Sequence, residues 1–212
     1  MSKGRSCLGF VVFLLVLSCI MLEVVLFVVD RWRGERAPRR EFEAESLLMD
    51  ATLFPTGWWD HTITYKPLTK WVRSNGCHAL QQLYRRYYLN ESKQLYQRYL
   101  GSKFPRREHF QEEWQPRLDL SAEMTFADEC YAACAYYGMW YGEDYQYVDE
   151  QELHCGVLAR YQEYVTYFHA RVVPPYLRVD DLGSILRGID QRFAAAMELE
   201  GAPDKPPEEE RP

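Results

Sequence analysis

The apolar residues divide the chain into one N-terminal apolar run and a longer remainder of mixed character. Apolar side chains fill the run Cys7–Val29, which only small residues and Glu23 interrupt. A helix of about 20 residues, at a rise of ~1.5 Å each, spans the ~30 Å core of a bilayer. The pattern therefore predicts a single transmembrane helix over Cys7–Val29, preceded by a basic N-terminal tip over residues 1–6.

A cleavable signal peptide is an alternative interpretation of the same run. The run is longer than the ~7–15 apolar residues typical of such peptides, and no small-x-small cleavage site ends it. These features favour an uncleaved signal-anchor. An Arg-rich juxtamembrane linker follows over residues 30–40, and its basic residues favour a cytoplasmic or matrix location for the C-terminal side. The sequon at Asn90 favours a luminal location instead, so the orientation stays open.

Residues 41–200 show apolar residues at spacings of three and four, which is typical of helices. Such spacing occurs around Leu80–Tyr88 and Leu95–Leu100, from about Thr125 to Tyr141, from Asp149 to about Val172, and from Asp180 to Gly201. The pattern predicts a mainly α fold, in which an α-helical domain of four or five helices covers residues 41–200. The tail over residues 201–212 is rich in Pro and Glu and is predicted to be disordered.

Composition narrows the classes of partner. The net charge is −6 and the pI is about 5.5, so the chain gives a nucleic-acid partner no electrostatic support. Aromatic residues make up 15% of the chain, with 16 tyrosines among them. Because tyrosine is enriched at protein interfaces, this composition indicates either a Tyr-rich core or a large partner surface.

Four cysteines outside the apolar run are candidates for disulfides: Cys77, Cys130, Cys134 and Cys155. If Cys130 and Cys134 lie on one helix they do not readily bond to each other, so any bridges would run outward to Cys77 and Cys155. Reduced, buried thiols are the alternative in a reducing compartment. A zinc site that also used His78 and His154 is disfavoured because no Cys-x2-Cys pair is present.

The chain contains none of the common nucleophile, phosphate-loop, dinucleotide or metalloprotease motifs. We therefore predict no enzyme activity, and no catalytic, cofactor or metal-binding residue. An ionised Glu23 is costly inside a bilayer. Two interpretations stay open: the carboxyl group reaches the headgroup region or is protonated, or it contacts a neighbouring intramembrane helix.

These observations predict a membrane-anchored, non-catalytic structural or assembly subunit of a larger membrane complex. Its expected partners are the membrane and the other subunits, and the mitochondrial inner membrane is favoured over the endoplasmic reticulum and secretory pathway. The alternative is a type II secretory-pathway glycoprotein, glycosylated on Asn90 and stapled by disulfides, with a receptor-like or adhesion domain.

Overall fold

The computed structural model describes residues 16–26, 28, 34–104, 114–141 and 146–198. Residues 16–26 and 28 are helical, and two short 3-10 helices follow at Ala44–Leu47 and Ala51–Leu53. The remaining elements are β1 (Trp59–Tyr65), β2 (Leu68–Ser74), β3 (Cys77–Arg85), α1 (Leu89–Lys103), β4 (Gln115–Pro116), α2 (Leu118–Ser121), β5 (Glu129–Tyr141), β6 (Gln146–Tyr161), β7 (Tyr164–Val172) and α3 (Val179–Met197).

The strands form one antiparallel sheet of seven strands in the order β1-β2-β3-β7-β6-β5-β4. The predicted mainly α fold is therefore wrong. Strands β5, β6 and β7 occupy the two segments from Thr125 to Val172 that were predicted to be helices. Their aromatic and β-branched residues suit a pleated surface, and both faces of the sheet are covered. Burial on both faces hides the period-2 pattern and leaves spacings that resemble those of a helix.

Tight turns connect the hairpins. Between β2 and β3 the turn is Asn75-Gly76, where Gly76 has φ +82°, a value that glycine adopts without strain. Between β6 and β7 it is Gln162-Glu163, where Gln162 has φ +48°. Neither turn residue of this second hairpin is a glycine, an asparagine or a proline. The segment consequently resembles one continuous helix in the sequence.

Helix α3 covers one face of the sheet, which we call the α3 face. Phe193 stacks on Tyr161 with ring centroids 4.1 Å apart, and the leucines and isoleucines of α3 join Phe168 in one buried cluster. The helix starts at an acidic first turn, where the Asp181 carboxylate accepts a hydrogen bond of 2.8 Å from the Arg178 N–H. Helix α3 begins one residue before the predicted last helix, which was expected from Asp180 to Gly201, and ends at Met197.

Helix α1 covers part of the opposite face, which we call the α1 face. Leu95, Tyr96 and Phe104 pack on Leu158 and Val165 there. Gly156 of β6 allows this close approach, because an added Cβ would stand 2.9 Å from the Phe104 ring. Helix α1 therefore depends on a glycine in the middle of a buried strand.

The segment between the N-terminal helical residues and β1 is tied to the sheet. Gln81, which is fully buried on β3, accepts a hydrogen bond from the Met49 N–H and donates to the Leu47 carbonyl and to Thr166 Oγ1. Arg40 pairs with the buried carboxylate of Glu163, with Nε 2.8 Å from Oε1. Through these contacts, the segment before β1 covers the part of the α3 face that helix α3 does not cover.

In the described part of the chain, none of the helices combines the length and the apolar character that a membrane crossing requires. This finding contradicts the predicted transmembrane helix over Cys7–Val29 and the single-pass, signal-anchor localisation. The mitochondrial inner-membrane placement depended on that helix and is contradicted with it. Residues 1–15, 27 and 29, residues 30–33 of the linker and the predicted tail at 201–212 lie outside the described residues.

Candidate functional site

The first candidate surface is the outer edge of the sheet, formed by β1 and called here the β1 edge (Trp59–Tyr65). All of its residues are exposed except Ile63, which is half-buried. The side chains of Trp59 and Tyr65 are 45% and 67% exposed. Among the described residues β1 pairs with β2 alone, so its outward N–H and C=O groups face no other strand.

The register of β1 on β2 shifts between Asp60 and Thr62, so His61 is an extra residue in the strand. Directly paired residues share a face of a sheet, which places Trp59 beside Arg73 on the α1 face and Tyr65 beside Leu68 on the α3 face. The edge therefore presents one large aromatic side chain on each face.

The opposite edge is built differently. Strand β4 has only two residues, Gln115 and Pro116, which pair with Cys134 and Ala133 of β5. Proline has no N–H to offer an incoming strand, and a two-residue strand gives little backbone to pair with. Of the two outer strands, β1 is the one suited to strand addition.

The four candidate cysteines lie on strands. Cys134 of β5 and Cys155 of β6 are direct register partners and form a disulfide, with Cα atoms 4.1 Å apart. Cys77 and Cys130 are free thiols. Burial raises the pKa of Cys77, whose Sγ donates to the Arg171 carbonyl, and raises that of Cys130 to about 12. Both stay protonated at neutral pH, which makes them weak nucleophiles and weak metal ligands.

The other two predicted site residues lie apart from the cysteines. Asn90 is exposed in the first turn of α1, and its side chain lies against Gly34. Its glycosylation stays a prediction. Glu23 is an exposed residue of the helical stretch 16–26, and the intramembrane contact predicted for it depended on the transmembrane helix.

The second candidate surface lies on the α1 face and contains three histidines, His78, His154 and His169, which we call the histidine cluster. They come from three adjacent strands, β3, β6 and β7. His154 Nδ1 lies 3.1 Å from His169 Nε2, so the N–H of one ring donates a hydrogen bond to the bare nitrogen of the other. His78 packs on Trp71 with ring centroids 5.7 Å apart.

Charged side chains surround the histidine cluster. Glu152 pairs with Arg171, and its carboxylate lies 3.6 Å from His154 Nε2. Lys103, at the end of α1, lies 4.7 Å from the centre of the Tyr167 ring and donates to Gln82 Oε1.

Burial and positive charge keep the cluster neutral at physiological pH. Burial first, and then the neighbouring histidines, lower the pKa of His154 to about 4 and that of His169 to about 3. Lys103 also contributes to the lowered pKa of His169. The pKa of His78 is lowered by burial, by Arg171 and by Arg73. Each imidazole therefore carries one donor and one acceptor nitrogen at pH 7.

The arrangement does not resemble a nucleophile activated by a base. Cys77 and Cys155 belong to the buried cluster of the α3 face, on the far side of the sheet from the imidazoles. Over the described ranges, no three His, Cys, Asp or Glu side chains are grouped to hold a metal ion. Hydrogen bonding to a bound group is the chemistry that this cluster supports.

In the sequence, His78 and His154 are candidates only for a disfavoured zinc site with neighbouring cysteines, and His169 is not a candidate at all. Strand pairing is the signal that finds the cluster: Gly156 pairs with His169, and His154 pairs with Arg171. Because alternate residues of a strand face opposite sides, His154 and Cys155 point away from each other. A helical assignment of this segment hides both relationships.

A surface groove of about 710 Å³ lies between residues 39–46 and the last turn of α3. Two of its arginines are already ion-paired, Arg40 with Glu163 and Arg192 with Asp50. The groove therefore offers less free charge than the region around the histidine cluster.

No protein-family model matches the chain, and no curated protein matches it either.

Proposed function

We propose that this protein is a non-catalytic assembly module that binds an extended segment of a partner protein along the β1 edge. The observation that carries the proposal is the exposure of a seven-residue edge strand on both of its faces. An added strand would use the outward backbone groups of β1 for affinity, while Trp59 and Tyr65 would contact alternate side chains of the partner.

The chemistry of the edge favours a partner segment with little charge. Residues Thr62–Tyr65 contain no Asp, Glu, Lys or Arg. The nearby Asp60 is already engaged, 3.2 Å from Lys70 Nζ, and also accepts from the Ala51 N–H. Exposed edges that avoid pairing usually carry lysine or proline along their length. The central part of β1 carries neither.

The absence of an activated nucleophile beside the histidine cluster supports a binding role over a catalytic one. The high tyrosine content agrees with it, since tyrosine and tryptophan dominate the energetics of protein interfaces.

The test compares two double variants of the full chain. Trp59→Ser/Tyr65→Ser removes the aromatic side chains of the β1 edge. Tyr87→Ser/Tyr176→Ser is the matched control, because those rings are 75% and 42% exposed elsewhere on the surface. Each chain is tagged in its native host, cross-linked, and purified with its bound proteins.

We expect a partner protein to co-purify with the wild type and with the control variant. The edge variant should bind that partner at least about tenfold less well. Hydrogen exchange of the purified pair should show new protection of the backbone amides over residues 59–65. Equal retention by both variants, or protection confined to another surface, would contradict the proposal. Pairing of β1 with a second copy of this chain would give protection without any other protein present and would also contradict it.

A further inference from the structure

We propose that the histidine cluster and the cations beside it bind a small oxyanion, a phosphate or carboxylate group. This site lies on the α1 face and uses different residues from the β1 edge.

The local charge supports an anion. Arg73 and Arg171 both lower the pKa of His78, and Lys103 lowers that of His169. Three cations therefore lie close to the three imidazoles. Among the described carboxylates, Glu152 pairs with Arg171. The chain as a whole carries a net charge of −6, so this concentration of positive charge is a local property of the site.

Strand register explains how the cations reach the cluster. Arg73 of β2 is the register partner of His78 of β3, and Arg171 of β7 is the register partner of His154 of β6. Register partners share a face, so all four side chains lie on the α1 face. Lys103 reaches the same face from the end of α1, where its ammonium lies over the Tyr167 ring.

An unused hydrogen-bond donor gives a second reason. The Nε of Arg171 is buried, and it has no hydrogen-bond partner among the described residues. A buried donor without a partner destabilises the folded state, so such a group is expected to bind a ligand or an ordered water. Arg171 uses Nη2 for Glu152, and the edge of the guanidinium that carries Nε remains available.

The imidazoles fit an anion better than a cation. Each neutral imidazole has one N–H, and the His154–His169 hydrogen bond uses one of these three, which leaves at most two ring N–H groups for an anion. Among the described residues these histidines do not join with other ligands as a metal site would require. Oxyanions are held in proteins by guanidinium groups together with ring and backbone N–H donors.

The test is an NMR titration of the full chain labelled in its histidine rings. Inorganic phosphate and acetate are the two probes, and sodium chloride at equal ionic strength is the control. We expect saturable shifts of the His78, His154 and His169 resonances, while exposed His61 on β1 stays unchanged. Bound negative charge should also raise the pKa of His169 from about 3.

Two variants locate the site. Glu152→Gln/Arg171→Gln removes the guanidinium without leaving its carboxylate partner unpaired, and we expect affinity to fall about tenfold or more. Arg73→Gln changes an exposed side chain and should fold normally, with an expected loss of about two- to fivefold. Arg187→Gln is the matched control, since it removes the same charge from α3, on the other side of the sheet.

Saturation by phosphate alone assigns a phosphate group, and saturation by acetate alone assigns a carboxylate. Saturation by both supports a general oxyanion site. The proposal is overturned if neither probe moves the imidazole resonances more than chloride does. It is also overturned if Arg73→Gln and Arg187→Gln weaken binding equally.

Discussion

Two sets of polar side chains, Asp190 on the α3 face and the histidine cluster on the α1 face, are bonded in different ways. On the α3 face, Asp190 is 2% exposed and accepts from the Tyr161 hydroxyl at 2.6 Å, from Thr125 Oγ1 and from the Phe126 N–H. On the α1 face, two histidines share one hydrogen bond, and the Nε of Arg171 has no partner among the described residues.

We assign a structural role to the buried Asp190 and a binding role to the histidine cluster. Asp190 joins α3 to the sheet and to the loop before β5, and each of its partners is part of the protein. In the proposed oxyanion site, Arg171 and the imidazoles would instead bond to a group that is not part of the protein. The variants below test whether the α3 face carries the stability and the α1 face the chemistry.

The largest effect is expected from Phe193→Ala on the α3 face. Phe193 is fully buried and stacks on Tyr161, so the change leaves a cavity that its neighbours fill only in part. We expect unfolding free energy to fall by about 3–5 kcal/mol in urea denaturation. Phe193→Leu is the control and should cost less than half as much. If Phe193→Ala costs under 1 kcal/mol, the α3 face is not the main core.

Removal of the disulfide is expected to come next. Cys134 and Cys155 are 21 residues apart and join β5 to β6. Closing a loop of that length stabilises the folded state by about 3 kcal/mol in the chain-entropy account. Cys134→Ala/Cys155→Ala should lower stability by that amount, and reductant should have no further effect on it. An unchanged unfolding midpoint would show that the bridge contributes little.

Asp190→Ala should cost about 2–3 kcal/mol, because it leaves the Tyr161 hydroxyl and the Phe126 N–H buried without an acceptor. Asp190→Asn keeps one acceptor oxygen and should recover part of the loss. Thermal unfolding of both variants beside the wild type tests the order. Equal stability of Ala and Asn would show that the hydrogen bonds at this site are not what joins α3 to the sheet.

The histidine cluster should affect acid stability more than stability at pH 7. His154 and His169 have folded pKa values of about 4 and 3, below the ordinary value of about 6.5. Below pH ~6.5 the unfolded chain binds protons that the folded chain does not, so stability falls as pH falls toward those values. His154→Gln/His169→Gln should flatten this dependence by about 1–2 kcal/mol per pH unit between pH 6 and 4.5.

Urea denaturation across this pH range measures the effect. His61→Gln, an exposed histidine on β1, is the control and should leave the slope unchanged. A wild-type slope that the double variant retains would place the acid sensitivity elsewhere in the protein.

Local patterns in the sequence were sufficient for some elements and misleading for others. Helix α3 has a clear amphipathic pattern, an acidic first turn and one buried face, and it can be found from the sequence. The Asn75-Gly76 turn is visible as a break in the pattern. The segment Thr62–Tyr65 shows β-propensity, but four residues are too few to predict a sheet. The segment lies in β1.

The misassigned strands share one physical cause. Strand β7 is buried along most of its length and β6 is buried over residues 155–161, because α1 and α3 cover opposite sides of the sheet. Apolar and aromatic residues therefore stand on both faces of these two strands, and a period of two does not stand out in the sequence. The Gln162-Glu163 turn adds to the problem, since no glycine or asparagine marks it.

The candidate sites were hidden for the same reason. The Cys134–Cys155 pairing and the histidine cluster both depend on the register between paired strands. Spacing along the chain could not reveal them, because a helical assignment places Cys134 and Cys155 on separate elements and separates His154 from His169.

The junction between the N-terminal residues and the domain has a mechanical consequence. Ala37 N–H donates to the Tyr87 carbonyl and Leu89 N–H to the Glu35 carbonyl, at 2.8 and 2.9 Å, and Arg40 reaches Glu163 a few residues later. A force applied to the chain before Gly34 would act first on these two hydrogen bonds and on the Arg40–Glu163 ion pair. The seven strands would not bear that force until these contacts break. In an optical trap, Arg40→Met should lower the force of the first rupture while the force that opens the sheet stays the same.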